Sequence, residues 1–288
     1  MSPLDLRLTT GAGAEHLWFV RHSYPMEHRA DIAIIGGTGV YDPQLIEDAH
    51  EIKVYTPYGS PSDLITLGTF KGRRVAFIPR HGRGHTIPPH RLPVRANIWA
   101  LKSLGVKRIV ASSAVGSLRE DYKPGDFVIT DQYIDRTKDR PDTFYEGGQL
   151  CHISSADPIC PQLHQFFAEH TQKLGYPVHP KGTYVCVQGP RFSTRAESRL
   201  FRQWACDIIG MTLHPEAILA REAELCYVSI AMVTDYDVWA EKPVTSDEVM
   251  ETMRGNSQRF RELIMSALPL IPEERTCGCG DSLRYSLL

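Results

Sequence analysis

The chain has 288 residues, 42 % of them hydrophobic and 23 % charged, with 32 Lys+Arg against 34 Asp+Glu for a formal net charge of −2. That length supports a full hydrophobic core without covalent staples, and the near-neutral balance excludes nucleic-acid binding by bulk electrostatics. No apolar run approaches bilayer length, and the opening MSPLDLRLTTGAG carries an Asp and no signal-type apolar stretch; the expected location is cytoplasmic, with no membrane or nucleic-acid partner.

Residues 1–30 show little periodicity and read as an extension. Their LWFVRHS at 17–23 has the look of the strand-plus-RH entry of histidine phosphatases, but no second catalytic segment follows, so chance similarity is favoured. DIAII at 31–35 reads as a buried strand running into GGTG at 36–39, and 63–69 and 74–80 read as a hairpin about Lys71-Gly72. From Pro93 to Leu104 the residues Val94, Ile98, Leu101 and Leu104 recur at helical spacing, and Gly105 stops that helix before the strand KRIVASSA. A helix at 161–174, ended by Gly175, precedes a strand at 183–188, and a helix at 215–224 precedes the strand ELCYVSIAMVTD. Thr245 and Glu248 stand at capping-box spacing before a last long helix that directs Val249, Met253, Phe260 and Ile264 to one side. With no repeat or linker, this alternation predicts one continuous α/β domain, its sheet covered by helices on both faces.

Seven cysteines stand at 151, 160, 186, 206, 226, 277 and 279, with no CxxC and no Cys/His pairing of zinc type, so the spacing supports no structural metal. Cys277-Gly278-Cys279 is either a redox couple or part of a frayed tail, and a chain end favours the tail.

Six segments carry candidate chemistry. GGTG lets backbone N–H groups approach an anion and adds the Thr38 hydroxyl, but lacks the residues of a P-loop or a dinucleotide fingerprint. In RHGRGHTIPPHR at 80–91, Arg80 offers a rigid fork to phosphate oxygens, and His81 and His85 can donate when charged or in the right tautomer; a solvated basic loop is the bland alternative. SSAVGSL at 112–118 suits close approach of backbone to a sugar or phosphate, and equally suits small-residue packing. GPRFST at 189–194 offers the Phe192 face and the Ser193 hydroxyl to a base, whereas Arg191 could be a structural ion-pair partner. GMTLHPE at 210–216 sets Met211 and Thr212 before a helix beginning near Pro215, a place for an anion. TDYDVW at 234–239 puts Asp235 and Asp237 on one face if the strand persists, able to bind a metal, pair with arginines, or accept from an amino-substituted heterocycle. No histidine lies near enough in sequence to favour the metal.

In this order, GGTG, RHGRGH, GPRFS, MT-x-x-PE and TDYD resemble the methylthioadenosine phosphorylases of the trimeric purine nucleoside phosphorylase family, from about Asp31 to about Leu268. The resemblance implies a nucleoside phosphorylase fold, a single α/β domain over 31–270 with a twisted central mixed β-sheet, followed by a tail at 271–288. It also implies a homo-oligomer, a trimer or dimer of trimers, that cleaves a purine nucleoside with inorganic phosphate as co-substrate and without metal or organic cofactor. By the same resemblance, phosphate lies among Thr38, Arg80, His81, Ser113, Ala114 and Thr212. Met211 lies under the ribose, Phe192 and Ser193 at the base, and His152 in a neighbouring subunit's 5′ pocket. Asp235 is the catalytic acid at purine N7, and Asp237 accepts from a 6-amino group. A phosphorylase of 6-oxo nucleosides is the alternative, disfavoured because a carboxylate accepts where a 6-oxo group needs a donor. The chain departs from the family pattern at His214, where many relatives have Val, and at Ser246, where a small apolar residue is common; Val249 and Met250 remain apolar candidates there.

Overall fold

The computed structural model of the chain describes residues 24–37, 46–240 and 246–288. The LWFVRHS motif, Thr38 and Thr245 lie outside the described residues, as do the side chains of Ser246, Glu248 and Met250. The elements run β1 (Ile32–Gly36), β2 (Glu47–Ile52), β3 (Ile65–Phe70), β4 (Arg73–Pro79), α1 (Val94–Ser103), β5 (Arg108–Ser117), β6 (Phe127–Ile129) and β7 (Gln132–Arg136). They continue with α2 (Pro161–Lys173), β8 (Val178–His179), β9 (Thr183–Val187), α3 (Arg195–Gln203), β10 (Ile208–Gly210), α4 (Leu213–Glu222), β11 (Cys226–Asp235) and α5 (Ser246–Ala267).

All these strands join one mixed sheet of 11 strands, with the path β2-β3-β4-β1-β5-β10-β9-β7 and β11 branching from β5 to carry β6 and β8. β1 is apolar along its whole length because it is paired in parallel on both sides, to β4 and β5, and is covered on both faces. β5 is the pivot. It pairs with β1 over Arg108–Ala111, exchanges that neighbour for antiparallel β10 at Gly116 and Ser117, and keeps β11 parallel along its other edge. The sheet therefore opens beside the C-terminal half of β5, and ligands of open α/β sheets bind where strands part at their carboxyl ends.

Local chemistry sets the element boundaries. Lys71 and Gly72 both take positive φ (46° and 78°), as a two-residue hairpin turn between β3 and β4 requires. Gly105 (φ 83°) and Gly175 (φ 75°) follow the ends of α1 and α2 as expected. The helix anticipated at 215–224 is α4, whose His214 is non-helical (φ −99°, ψ 133°), so regular turns begin at Pro215. The periodicity did not reveal β2 or α3. β2 is almost wholly exposed and has no apolar alternation to detect, and α3 buries only Ser198 and Phe201.

The C-terminal segment is not frayed. Beyond α5, Ile271, Cys279 and Leu283 are buried, and the Leu288 N–H bonds to the Leu150 carbonyl at 3.1 Å. No helix among the described residues is long and apolar enough to cross a membrane. On α5, Phe260 and Ile264 are fully buried, Val249 and Met253 half-buried, and Asn256 Nδ2 donates to the Val233 carbonyl at 3.0 Å, fixing the helix on β11. Phe260→Ala leaves a cavity between α5 and the sheet; it should lower unfolding free energy by about 3–5 kcal/mol, measured by chemical denaturation.

Candidate active site

Arg80 follows β4 and is almost completely buried (3 % exposed). Its Nε and Nη2 donate to the two carboxylate oxygens of Glu216, each at 2.8 Å, and Nη1 donates to the Ser112 carbonyl at 2.5 Å. The fork expected to grip phosphate is thus already occupied by a carboxylate. Of five guanidinium N–H groups three are engaged, and those left on Nη1 and Nη2 are available to an anion. Burial opposes the Arg80 charge and Glu216 more than restores it, so the group stays cationic. Tyr227 adds a donor to Glu216 Oε2 at 2.8 Å, and burial holds its phenol, like that of Tyr184, well above the ordinary range as an O–H donor.

Beside Arg80, Ser113 Oγ and Thr212 Oγ1 stand 3.1 Å apart. Thr212 is the N-cap of α4, its N–H directed at Tyr184 Oη (3.3 Å) and its hydroxyl not used as a cap. Ala114 is the one exposed residue of β5, opening the strand toward the crevice. These hydroxyls, the helix start and the Arg80 N–H groups form a cradle for an oxyanion.

His81 does not supply a positive charge there. Its Nδ1 lies 2.8 Å from the Ile87 carbonyl, which can only accept, so Nδ1 carries the proton. Burial, opposed by that bond and reinforced by Arg80 and His85, pushes its pKa down to about 4. The neutral ring, stacked on His85 with centroids 4.2 Å apart, leaves Nε2 as an acceptor.

The acids gather at the end of β11, though not by strand alternation. The pairing of β11 with β5 shifts between Val233 and Asp235, a bulge that places Asp235 opposite Gly116. The strand then ends, and Asp237 takes φ 48° at the start of a 3₁₀ turn. The two carboxylates are linked instead by backbone, the Asp237 N–H donating to Asp235 Oδ1 at 2.8 Å. Gly116 makes this possible, because a Cβ there would stand 2.9 Å from Asp235 Oδ1 and 3.3 Å from Asp237 Cβ. Thr234 Oγ1 sits 2.7 Å from Asp235 Oδ2 and 3.1 Å from the Val115 carbonyl. Asp237 is buried, which raises its pKa, and its Oδ2 has no hydrogen-bond partner.

The GPRFST loop is held by α3. Thr194 and Glu197 form a reciprocal capping box, and Arg191 grips Glu197 through two bonds of 2.8 and 2.7 Å, which makes Arg191 the structural ion-pair partner. Phe192 is left 42 % exposed and Ser193 half-buried. Met211 packs its sulfur against Gly189, whose positive φ (61°) disfavours any side chain there. His214 is buried, its Nε2 3.4 Å from Asp135 and 3.7 Å from Asp142; burial lowers its pKa and the two acids oppose that. His152 is exposed and tied by its N–H to the Ser286 carbonyl (2.7 Å), so within one chain it is not brought to the site.

Three residues of evident importance had no role in the sequence reading. Glu216 and Tyr227 hold Arg80. Arg140 clamps the carbonyls of Met211 (2.9 Å), His214 (2.6 Å) and Gln188 (2.8 Å), binding two site segments together. The MT-x-x-PE motif did contain Glu216, but Arg140 lies in the loop DRPD, which carries no pattern.

Residues 31–269 match the model of the Phosphorylase superfamily. The chain belongs to that superfamily. An S-methyl-5′-thioadenosine phosphorylase of Hyperthermus butylicus is 58 % identical over 264 residues, 90 % of this chain and 96 % of that protein. Among solved superfamily structures, a methylthioadenosine phosphorylase from an antarctic soil metagenomic library superposes with a TM-score of 0.86 at 46 % identity, over 91 % of this chain and 93 % of that one. A mutant adenosine/methylthioadenosine phosphorylase of Schistosoma mansoni, in complex with methylthioadenosine, gives 0.81 at 40 % identity, over 86 % and 93 %. The fold is that of the superfamily's nucleoside phosphorylases.

Glu216→Gln leaves the buried Arg80 charge without its counter-ion and should cost about 3–5 kcal/mol of stability while raising the KM for the anion; denaturation and initial-rate kinetics measure both. Because the His81 pKa falls from 6.5 when unfolded to about 4 when folded, the unfolded state binds the extra proton between these values. His81 therefore contributes stability that is complete above pH 6.5 and declines as pH falls toward 4. His81→Asn should show a shallower acid-side decline over that window in denaturant titrations.

Proposed function

We propose that the protein cleaves S-methyl-5′-thioadenosine with inorganic phosphate to give adenine and 5-methylthioribose 1-phosphate. The observation that carries this reading is the placement of an anion cradle and a carboxylate pair along the same two strands. Ser113 pairs with Ala231 and Gly116 with Asp235, a separation of about 10 Å along β5 at 3.3 Å per residue. That span accommodates phosphate beneath a ribose at one end and the five-membered ring of a purine at the other. The superfamily relatives named as methylthioadenosine phosphorylases support the choice of nucleoside.

The chemistry requires the C1′–N9 bond to break with its electron pair leaving on the purine, while C1′ gains positive charge. Phosphate held by Arg80, Ser113, Thr212 and the β5 backbone at Ala114 stabilises that charge and then forms the new C1′–O bond. Asp235 delivers a proton to N7 as the base departs. The Thr234 hydroxyl, within hydrogen-bond distance of both Asp235 Oδ2 and the Val115 carbonyl, holds this acid in place. Asp237 Oδ2, buried without a donor, accepts from the purine 6-amino group, whereas a 6-oxo base would bring a second acceptor. Neutral His81 accepts through Nε2 from the remaining phosphate O–H.

Met211 supports the ribose, and Phe192 and Ser193 cover the base from a loop that a single chain leaves open. The exposed His152 fits a role in the 5′ pocket of an adjoining copy, in a trimer or dimer of trimers. Phosphate acts as co-substrate, and the scheme draws on no organic cofactor.

Adenine release should depend on added phosphate and be faster from S-methyl-5′-thioadenosine than nucleobase release from inosine; phosphate-independent cleavage or a preference for inosine would overturn the assignment. Asp235→Asn should lower kcat by about 10²–10⁴-fold while phosphate still binds, and unimpaired turnover in that variant would remove the acid from the mechanism.

A further inference from the structure

At the opposite end of the strands that carry the site, four cysteines converge that the chain spaces far apart. Cys226 opens β11, Cys160 immediately precedes α2, and Cys277 and Cys279 flank Gly278 in the C-terminal segment. Their sulfurs all lie within 4.8 Å of one another, with Cys226 and Cys277 at 3.4 Å and Cys160 and Cys277 at 3.6 Å. Sulfurs bound to one tetrahedral zinc ion at about 2.3 Å stand about 3.8 Å apart. The Cys226–Cys277 and Cys160–Cys277 separations lie within a few tenths of an ångström of that edge, and no other sulfur pair exceeds it by more than about 1 Å. Cys160, Cys226 and Cys279 are buried, whereas Cys277 borders a surface cleft of ≈ 410 Å³ beside Pro161, Gln162 and Thr276, which gives an ion a way in.

A second observation concerns charge. Four thiolates around a divalent ion carry a net negative charge, and the surroundings are cationic. Arg108 stands directly across the β5–β11 register from Cys226, is 2 % exposed, and its Nε–H has no hydrogen-bond partner. Its Nη2 donates to the Glu273 carbonyl (2.9 Å); burial and the nearby Arg275 and Arg73 oppose its charge, while Cys226 and Cys160 favour it. A buried guanidinium among other guanidiniums is unfavourable beside neutral thiols and is compensated beside a negatively charged cluster. A donor from outside the ligand set is also the usual company of ligating sulfurs.

We propose that Cys160, Cys226, Cys277 and Cys279 form a tetrathiolate zinc site that fastens the C-terminal segment to the base of the sheet. Binding replaces four S–H bonds with four Zn–S bonds and releases four protons to solvent, with no change of oxidation state. All four positions are filled by protein, so the site is structural, and soft sulfur donors select zinc over magnesium or calcium. The proposal is independent of the nucleoside reading, since the reacting groups lie at the other end of β11, about 30 Å away along a strand of 10 residues.

The test uses the full chain, isolated anaerobically and stripped of metal under reducing conditions, then titrated with Co²⁺ as a spectroscopic probe and afterwards with Zn²⁺. The expected result is thiolate-to-cobalt charge transfer with intense tetrahedral d–d bands, saturating at one ion per chain and abolished by Zn²⁺. Zinc should also raise the melting temperature by about 10 °C, and Cys279→Ser should weaken cobalt binding by at least about 10-fold. The proposal is overturned by the absence of thiolate–cobalt bands in the wild-type chain. It is equally overturned by a disulfide among the four cysteines in the anaerobically isolated protein, or by unchanged cobalt binding in Cys279→Ser.

Discussion

The buried pair of Arg80 and Glu216 is the constraint on which the site depends. It joins the end of β4 to the first turn of α4, and through Ser112 and Tyr227 it also fixes β5 and β11. Neither charge is tolerable there alone, because each has lost its water and the other is its replacement. Pairing fixes the guanidinium plane, so the N–H groups that remain point in one direction before any anion arrives. The same permanent cation disfavours a charge on the adjacent His81. The cradle thus has one resident positive charge and otherwise neutral donors and acceptors. Its strength lies in orientation more than in total charge.

Much of the architecture was legible in the sequence because the central strands are buried on both faces and their helices carry apolar stripes. DIAII, KRIVASSA and ELCYVSIAMVTD became β1, β5 and β11, with boundaries displaced by at most three residues. Exposed or mostly polar elements were not legible. β2 has no buried side, and α3 is held by its capping box and by Phe201, not by an amphipathic stripe.

The site was legible as motifs but not as geometry. Ser113 and Thr212, distant in sequence, do meet, and both acids do cluster. Their arrangement follows from a bulge at Thr234 and a left-handed residue at Asp237, which a period-two argument cannot anticipate. The fork of Arg80 was assigned to the ligand because sequence shows the arginine and conceals its carboxylate partner. The proximity of four cysteines was hidden for the same reason. Local spacing held no zinc pattern, and only the return of the C-terminal segment to the start of β11 brings them together.

β5 and β11 lie side by side yet are separated by on the order of a hundred residues. A nascent or partly unfolded chain can assemble the β3–β4 hairpin from neighbours, but it cannot bring Asp235 over Gly116 until that long loop has closed. Contacts of such high order form late and slowly. Catalytic competence in this protein is therefore a property of the completed topology, and a fragment that lacks β5 or β11 cannot form the Gly116–Asp235 end of the site.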